Sequence, residues 1–102
     1  MVDIIEKKKN QLIELCRNFR VKRLELFGSA AGDDFDSERS DFDFLVEFVP
    51  LSPSEHAACY FGFLAALRDM FSRKVDLVEI RAIRNPYFKE HVELSRIKLY
   101  GT

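Results

Sequence analysis

The spacing of apolar residues near the start of the chain is that of an amphipathic helix. Over residues 4–19 the apolar positions recur at intervals of seven, four and three, with charged side chains between them. These apolar positions are Ile5, Leu12, Cys16 and Phe19. The pattern predicts one helix whose apolar face packs on a core.

Four later segments alternate apolar and polar residues with the period of two that is typical of strands. Residues 23–27 run directly into Gly28-Ser29, which predicts a strand that ends at a tight turn. Residues 42–49 form the clearest strand, because every second residue from Phe42 is apolar. Residues 74–80 predict a third strand, and residues 96–100 predict a short edge strand. The polar, acidic stretch 30–40 has no helical period and is predicted to be a loop.

Two further helices are predicted from their start signals. Ser52 is a candidate N-cap, Pro53 occupies the first helical position and Glu55 completes a capping box. This helix is predicted to run to about residue 71. Its apolar stripe is predicted to face the core, and consists of Ala58, Phe61, Leu64, Ala65, Arg68 and Phe71. Asn85-Pro86 repeats the cap-then-proline pattern and predicts a last helix over residues 86–95.

Strand, helix and strand in succession predict an α/β fold, because two strands joined by a helix are usually parallel. A chain of 102 residues is long enough for one core, so a single domain over residues 1–102 is expected. A hydrophobic content of 47% argues against disorder, and no apolar run approaches the roughly 20 residues of a membrane span. The N-terminus has no signal-like apolar segment, which predicts a cytoplasmic protein.

The balance of charge also limits the class of partner. The chain has 16 Lys and Arg residues against 17 Asp and Glu residues, for a net charge of −1. Proteins that bind nucleic acid through its phosphates carry a basic field, which this composition lacks. Direct nucleic-acid binding is therefore not expected.

Three aspartates and a Gly-Ser turn supply the candidate chemistry. Asp41 and Asp43 project from one face of a predicted strand, with Cα atoms roughly 6.5 to 7 Å apart. Asp76 lies between apolar residues of the next strand, which predicts that it is buried, and a buried aspartate is costly without a partner. If these two strands are neighbours, the three carboxylates form an oxygen site suited to Mg²⁺ or Mn²⁺, as used in phosphoryl transfer. Gly28 and Ser29 could bind phosphate through backbone N–H groups and a hydroxyl.

Three segments of the chain, in this order, carry a resemblance to a known family. They are Leu26-Phe27-Gly28-Ser29, Ser40-Asp41-Phe42-Asp43-Phe44-Leu45-Val46-Glu47 and Val75-Asp76-Leu77-Val78. Together they resemble the minimal nucleotidyltransferases of the polymerase-beta-like superfamily, which are marked by a Gly-Ser turn, an Asp-x-Asp pair and a third carboxylate on the next strand. The resemblance implies the nucleotidyltransferase fold, with a small mixed sheet of three or four strands packed with about four helices.

The resemblance also implies the roles of the candidate residues. Asp41, Asp43 and Asp76 would ligate Mg²⁺, or Mn²⁺ in its place, and Asp76 is a candidate general base. Gly28 and Ser29 would hold the triphosphate of ATP. Minimal members of the family pair with a small helical HEPN-type toxin, often as an antitoxin that transfers AMP to a tyrosine of the toxin. The leading hypothesis is therefore an Mg²⁺-dependent transfer of AMP from ATP to a hydroxyl of such a partner.

Two alternatives remain open at the level of sequence. Eleven residues separate Ser29 from Asp41 where the family usually has ten, and the segment 29–32 lacks the arginine usual before its glycine. These departures favour a binding-only antitoxin or regulatory subunit with vestigial catalysis, whereas the three aspartates favour an enzyme. A third hypothesis is transfer of a nucleotide to a free small molecule, for which this short chain offers no second domain to enclose the acceptor.

Overall fold

The computed structural model describes residues 3–27, 42–80 and 97–101, which contain three helices and four strands. The helices are α1 (Asp3–Lys7), α2 (Lys9–Asn18) and α3 (Pro53–Phe71), and the strands are β1 (Val21–Phe27), β2 (Phe42–Phe48), β3 (Val75–Glu79) and β4 (Ile97–Tyr100). All four predicted strands are present, with ends that differ from the prediction by at most two residues. The predicted loop 30–40 and the predicted helix 86–95 lie outside the described residues.

The strands form one mixed sheet in the order β3-β2-β1-β4. β1 pairs antiparallel with β2 and with β4, whereas β2 pairs parallel with β3. The parallel pair follows from the connection, since α3 carries the chain from the end of β2 back to the start of β3. The predicted α/β fold is confirmed, and the tail segment is an edge strand beside β1.

One face of the sheet packs on the helices and forms the core. Phe42, Phe44 and Val46 of β2 are fully buried, as the period of two predicts. Phe71 of α3 packs edge-on against Phe42, with ring centroids 4.9 Å apart. The remaining buried members of the cluster are Ile5, Leu12, Cys16, Val21, Leu24, Leu26, Phe48, Phe63, Leu67, Val75, Leu77 and Leu99.

The single helix predicted over residues 4–19 is two helices. Lys8 separates them, with φ −103° and ψ 12°, which lies outside the helical region. The hydrogen bonds continue across the break, from the Lys8 N–H to the Ile4 carbonyl and from the Leu12 N–H to the Lys8 carbonyl. The Lys8 ammonium donates to the Met70 carbonyl in the last turn of α3. Because this long-range contact fixes Lys8, the local apolar period could not predict the break.

The apolar stripe predicted to bury α3 is wrong at four of its six positions and correct at Phe71 and, in part, at Leu64. Ala58, Phe61, Ala65 and Arg68 are exposed, and Phe61 is 66% exposed. Besides Phe71, the helix buries Phe63 and Leu67, which the prediction left out, and Cys59, Tyr60 and Leu64 are partly buried beside them. Both stripes have helical spacing, so the period alone does not distinguish them.

The ends of α3 follow the sequence signals. The Ser52 hydroxyl accepts a hydrogen bond from the Glu55 N–H at 3.3 Å, which confirms Ser52 as the N-cap. The Glu55 carboxylate accepts a hydrogen bond from the Ser52 hydroxyl at 2.8 Å, whereas in a capping box it would accept from the Ser52 backbone N–H. These contacts with Ser52, and the Arg20 guanidinium beside it, lower the pKa of Glu55. Ser72 ends the helix in the left-handed conformation, with φ 52° and ψ 42°. No helix in the described ranges has the length and apolarity needed to cross a bilayer.

Burial predicts very different reactivities for the two thiols. Cys16 is fully buried, and burial raises its pKa to about 12, whereas Cys59 is partly exposed. The thiolate is the reactive species, so Cys16 should react with a disulfide reagent at pH 8 only as fast as the protein unfolds. We expect one fast thiol in native protein and two in guanidinium chloride. A Cys59→Ser variant should lose the fast phase, and a fast phase that survived this substitution would contradict the buried position of Cys16.

Candidate active site

Asp43 and Asp76 lie side by side on adjacent strands. They are register partners in the parallel pair β2–β3, whose strands are about 4.8 Å apart. Their neighbours in each strand, Phe44 and Leu77, point into the core, so both aspartates point to the opposite face. Asp43 is half-buried and Asp76 is exposed. The prediction that these two aspartates share one face is confirmed, whereas the prediction that Asp76 is buried is wrong.

The strand ends that lead to the other predicted site residues lie beside this pair. Phe27, at the end of β1, is the register partner of Asp43, and Gly28 follows it in the chain. Phe42, at the start of β2, is preceded by Asp41 and is the register partner of Val75. Gly28, Ser29 and Asp41 themselves lie outside the described residues, so their positions stay predictions.

Tyr60 ties α3 to the strand that carries Asp76. Its hydroxyl donates to the Leu77 carbonyl at 2.6 Å, one residue beyond Asp76. Burial raises the pKa of Tyr60, and the negative charges of Glu79 and Asp76 raise it further. The bond holds the edge strand β3 against the helix and so fixes the position of Asp76 relative to the core.

Lys74 and Glu25 are charged side chains on this face that were not among the predicted site residues. Lys74 directly precedes β3 and is exposed. Glu25, near the middle of β1, is only 3% exposed and has Leu45 and Lys98 as register partners. The alternation of β1 does place Glu25 on the face away from the core, but no local signal indicates that this face is covered there.

A cleft of about 320 Å³ opens at the other end of the sheet, where β2 and β3 end. The ionisable side chains that line it pair with one another or with neighbouring side chains. His56 Nε2 lies 2.5 Å from the Glu79 carboxylate, and Glu47 lies 2.9 Å from the Arg23 guanidinium. Because Asp43 and Asp76 are at the opposite strand ends, this cleft is separate from the candidate active site.

The donor set fits a hard divalent cation. Aligned carboxylates on an open face are oxygen donors of the kind that Mg²⁺ and Mn²⁺ prefer, and two of them side by side repel each other without a cation. Within the described ranges no three His, Cys, Asp or Glu side chains come together, and the predicted third ligand, Asp41, falls outside those ranges. Of the predicted metal ligands, the described residues therefore include the pair of aspartates on β2 and β3, at an accessible end of the sheet.

Comparison with known proteins identifies the family of this chain. The family model for the nucleotidyltransferase domain matches residues 8–99. A relative from Methanocaldococcus jannaschii that bears the name "Putative protein adenylyltransferase" is 38% identical over 91 residues, which cover 89% of this chain and 86% of that protein.

Solved structures share the fold. One described as a "putative minimal nucleotidyltransferase" superposes with a TM-score of 0.72 at 26% identity, over 94% of this chain and 95% of that chain. A second, of a tri-AMPylated Shewanella oneidensis HEPN toxin in complex with an MNT antitoxin, superposes with a TM-score of 0.59 at 23% identity, over 95% of this chain and 72% of that chain. The family match over residues 8–99 and the identity with the M. jannaschii relative show that this chain belongs to the nucleotidyltransferase domain family.

Proposed function

We propose that this protein transfers AMP from ATP to a hydroxyl group of a partner protein in an Mg²⁺-dependent reaction. The observation that carries the proposal is the register pairing of Asp43 with Asp76 at the accessible end of the parallel strands. The name of the M. jannaschii relative, a protein adenylyltransferase, supports adenylyl transfer to a protein.

In this proposal each predicted residue has a defined task. Asp41, Asp43 and Asp76 hold Mg²⁺, which when bound neutralises triphosphate charge and lowers the pKa of an attacking hydroxyl. Gly28 and Ser29 bind the triphosphate through backbone N–H groups and the Ser29 hydroxyl. The oxygen of the acceptor hydroxyl bonds to the α-phosphorus of ATP while Asp76 accepts the proton of that hydroxyl. The bond between the α-phosphorus and pyrophosphate breaks, and pyrophosphate leaves. The exposure of Asp76 suits a base that must meet a macromolecular acceptor.

The proposed partner is a small helical toxin of the HEPN type, with this chain as the antitoxin. The structural neighbour from S. oneidensis is an MNT antitoxin bound to an AMPylated HEPN toxin, and its fold is shared by this chain. We propose a tyrosine hydroxyl of the toxin as the acceptor.

Transfer of label from α-phosphate-labelled ATP to a co-purified partner tests this function. With Mg²⁺ we expect label on the partner, and an Asp41→Asn/Asp43→Asn double variant that still binds the partner should leave it unlabelled. Mass spectrometry of the labelled partner would identify the acceptor residue. If the wild-type protein bound its partner stably but transferred nothing from any of the four nucleoside triphosphates, the enzymatic function would be wrong.

A binding-only antitoxin is the second candidate function. The segment 29–32 favours it, because that segment lacks the arginine usual in the family. Neutralisation of toxicity in cells separates the two functions: the double variant should fail to neutralise the toxin if AMP transfer is required. Equal neutralisation by wild type and variant would favour inhibition by contact alone.

A further inference from the structure

Two adjacent cations in the turn between α3 and β3 lie on opposite faces of the sheet. The Arg73 guanidinium carbon lies 4.7 Å from the centroid of the Phe42 ring, which belongs to the core. The Lys74 carbonyl accepts a hydrogen bond from the Phe42 N–H at 3.3 Å, so the ladder between the strands already includes Lys74. Strand alternation therefore places Lys74 on the same face as Asp76, with its Cα atom roughly 6.5 to 7 Å from that of Asp76.

Among the described cations, Lys74 is the one next to the aspartate pair on the open face. Lys98 is on β4, separated from β3 by two intervening strands. Lys22 and Arg23 are at the opposite end of the sheet, where both approach Glu47. A lysine ammonium on its four-carbon stem acts as a mobile point charge and is a common ligand of phosphate oxygens.

We propose that Lys74 binds a phosphate group of the nucleotide that is held at Asp43 and Asp76. The inference rests on the proposed nucleotidyl transfer and adds a phosphate-binding residue that the Gly-Ser turn and the aspartates do not include. A nucleoside triphosphate brings about four negative charges to a face that already carries two carboxylates. The Lys74 ammonium offsets part of that charge at the phosphate and leaves the carboxylate oxygens of Asp43 and Asp76 to bind the metal ion.

If Lys74 has this position, removal of its charge should weaken the binding of nucleotide and strengthen the binding of metal ion. In Lys74→Gln, affinity for a non-hydrolysable ATP analogue with Mg²⁺ should fall about tenfold, because a charge-assisted contact is lost. Affinity for Mn²⁺ without nucleotide should rise about three- to tenfold, because a cation near the carboxylates no longer repels the metal. Titration calorimetry measures the first affinity and Mn²⁺ electron paramagnetic resonance the second.

Matched variants separate this role from an effect on folding or on net charge. Lys22→Gln removes the same charge from an exposed lysine at the opposite sheet end, and both affinities should stay within twofold of wild type. Lys74→Arg keeps the charge and should retain nucleotide affinity within about threefold. A parallel loss of Mn²⁺ and nucleotide affinity in Lys74→Gln would overturn the proposal, since it would indicate that Lys74 only supports the strand.

The remaining outcomes separate this inference from the function on which it rests. Unchanged nucleotide affinity in Lys74→Gln, with normal AMP transfer, would overturn the role of Lys74 and leave the proposed function standing. Wild-type protein that bound Mn²⁺ but no nucleoside triphosphate would overturn the proposed function and the role of Lys74 together.

Discussion

Asp43→Asn and Asp76→Asn are each expected to lower the rate of AMP transfer by about 10² to 10³-fold without unfolding the protein. Each substitution removes one of the two carboxylates that lie side by side on β2 and β3. A loss of several kcal/mol of charge stabilisation in the transition state corresponds to a rate that is about 10² to 10³-fold lower. Steady-state rates with labelled ATP measure the effect.

Thermal unfolding of the same variants distinguishes a lost metal ligand from a damaged fold. In metal-free buffer each variant should melt within a few degrees of wild type, or slightly above it, because a repulsion of about 1 kcal/mol between like charges is relieved. Added Mg²⁺ should raise the melting temperature of wild type but not that of either variant, since a ligand stabilises only a state that binds it.

Asp69→Asn is the matched control, because Asp69 is an exposed aspartate of α3 and lies outside the site. It should retain wild-type transfer and the Mg²⁺-dependent rise in melting temperature. Transfer by Asp76→Asn at more than a tenth of the wild-type rate would show that the register partner of Asp43 is not part of the machinery.

The strands and the aspartate pair could be predicted because the signals that set them are local. The period of two from Phe42 places Phe42, Phe44 and Val46 on the core side of β2, and the same period in β3 places Asp76 on the face away from Leu77. The helical connection then makes the two strands parallel neighbours. The register that pairs Asp43 with Asp76 could not be predicted from the sequence. A shift of β3 by two residues along β2 would leave every side chain on the same face of the sheet but would separate the two aspartates.

The parts that sequence reasoning missed depend on contacts between distant residues. The break at Lys8 accompanies its bond to the Met70 carbonyl, 62 residues away. The burial of Glu25 at 3% exposure depends on what covers that face of β1, which alternation within the strand does not reveal. The exposure of Asp76 was missed for a similar reason. Its apolar neighbours in the chain predict a buried strand, but they do not indicate which face of that strand is covered.

The orientation of α3 gives the second large expected effect: truncation of Phe63 should strongly destabilise the protein, whereas truncation of Phe61, two residues away, should change its stability little. Phe63 is fully buried, and its ring centroid lies 6.0 Å from that of Phe19 and 6.3 Å from that of Phe48. Phe63→Ala should therefore cost about 3 to 5 kcal/mol of unfolding free energy. In a domain of this size that loss lowers the melting temperature by about 12 to 25 °C.

Phe61→Ala removes the same atoms from the same helix and is the internal control. Phe61 is 66% exposed, so its truncation should change the free energy of unfolding by no more than about 0.5 kcal/mol. The change in helix propensity is the same in both variants, which leaves burial as the difference between them. Urea unfolding followed by circular dichroism measures both. Equal destabilisation would mean that α3 buries the stripe of Phe61 that its sequence first suggests, and the position of Tyr60 on Leu77 beside Asp76 would then be wrong as well.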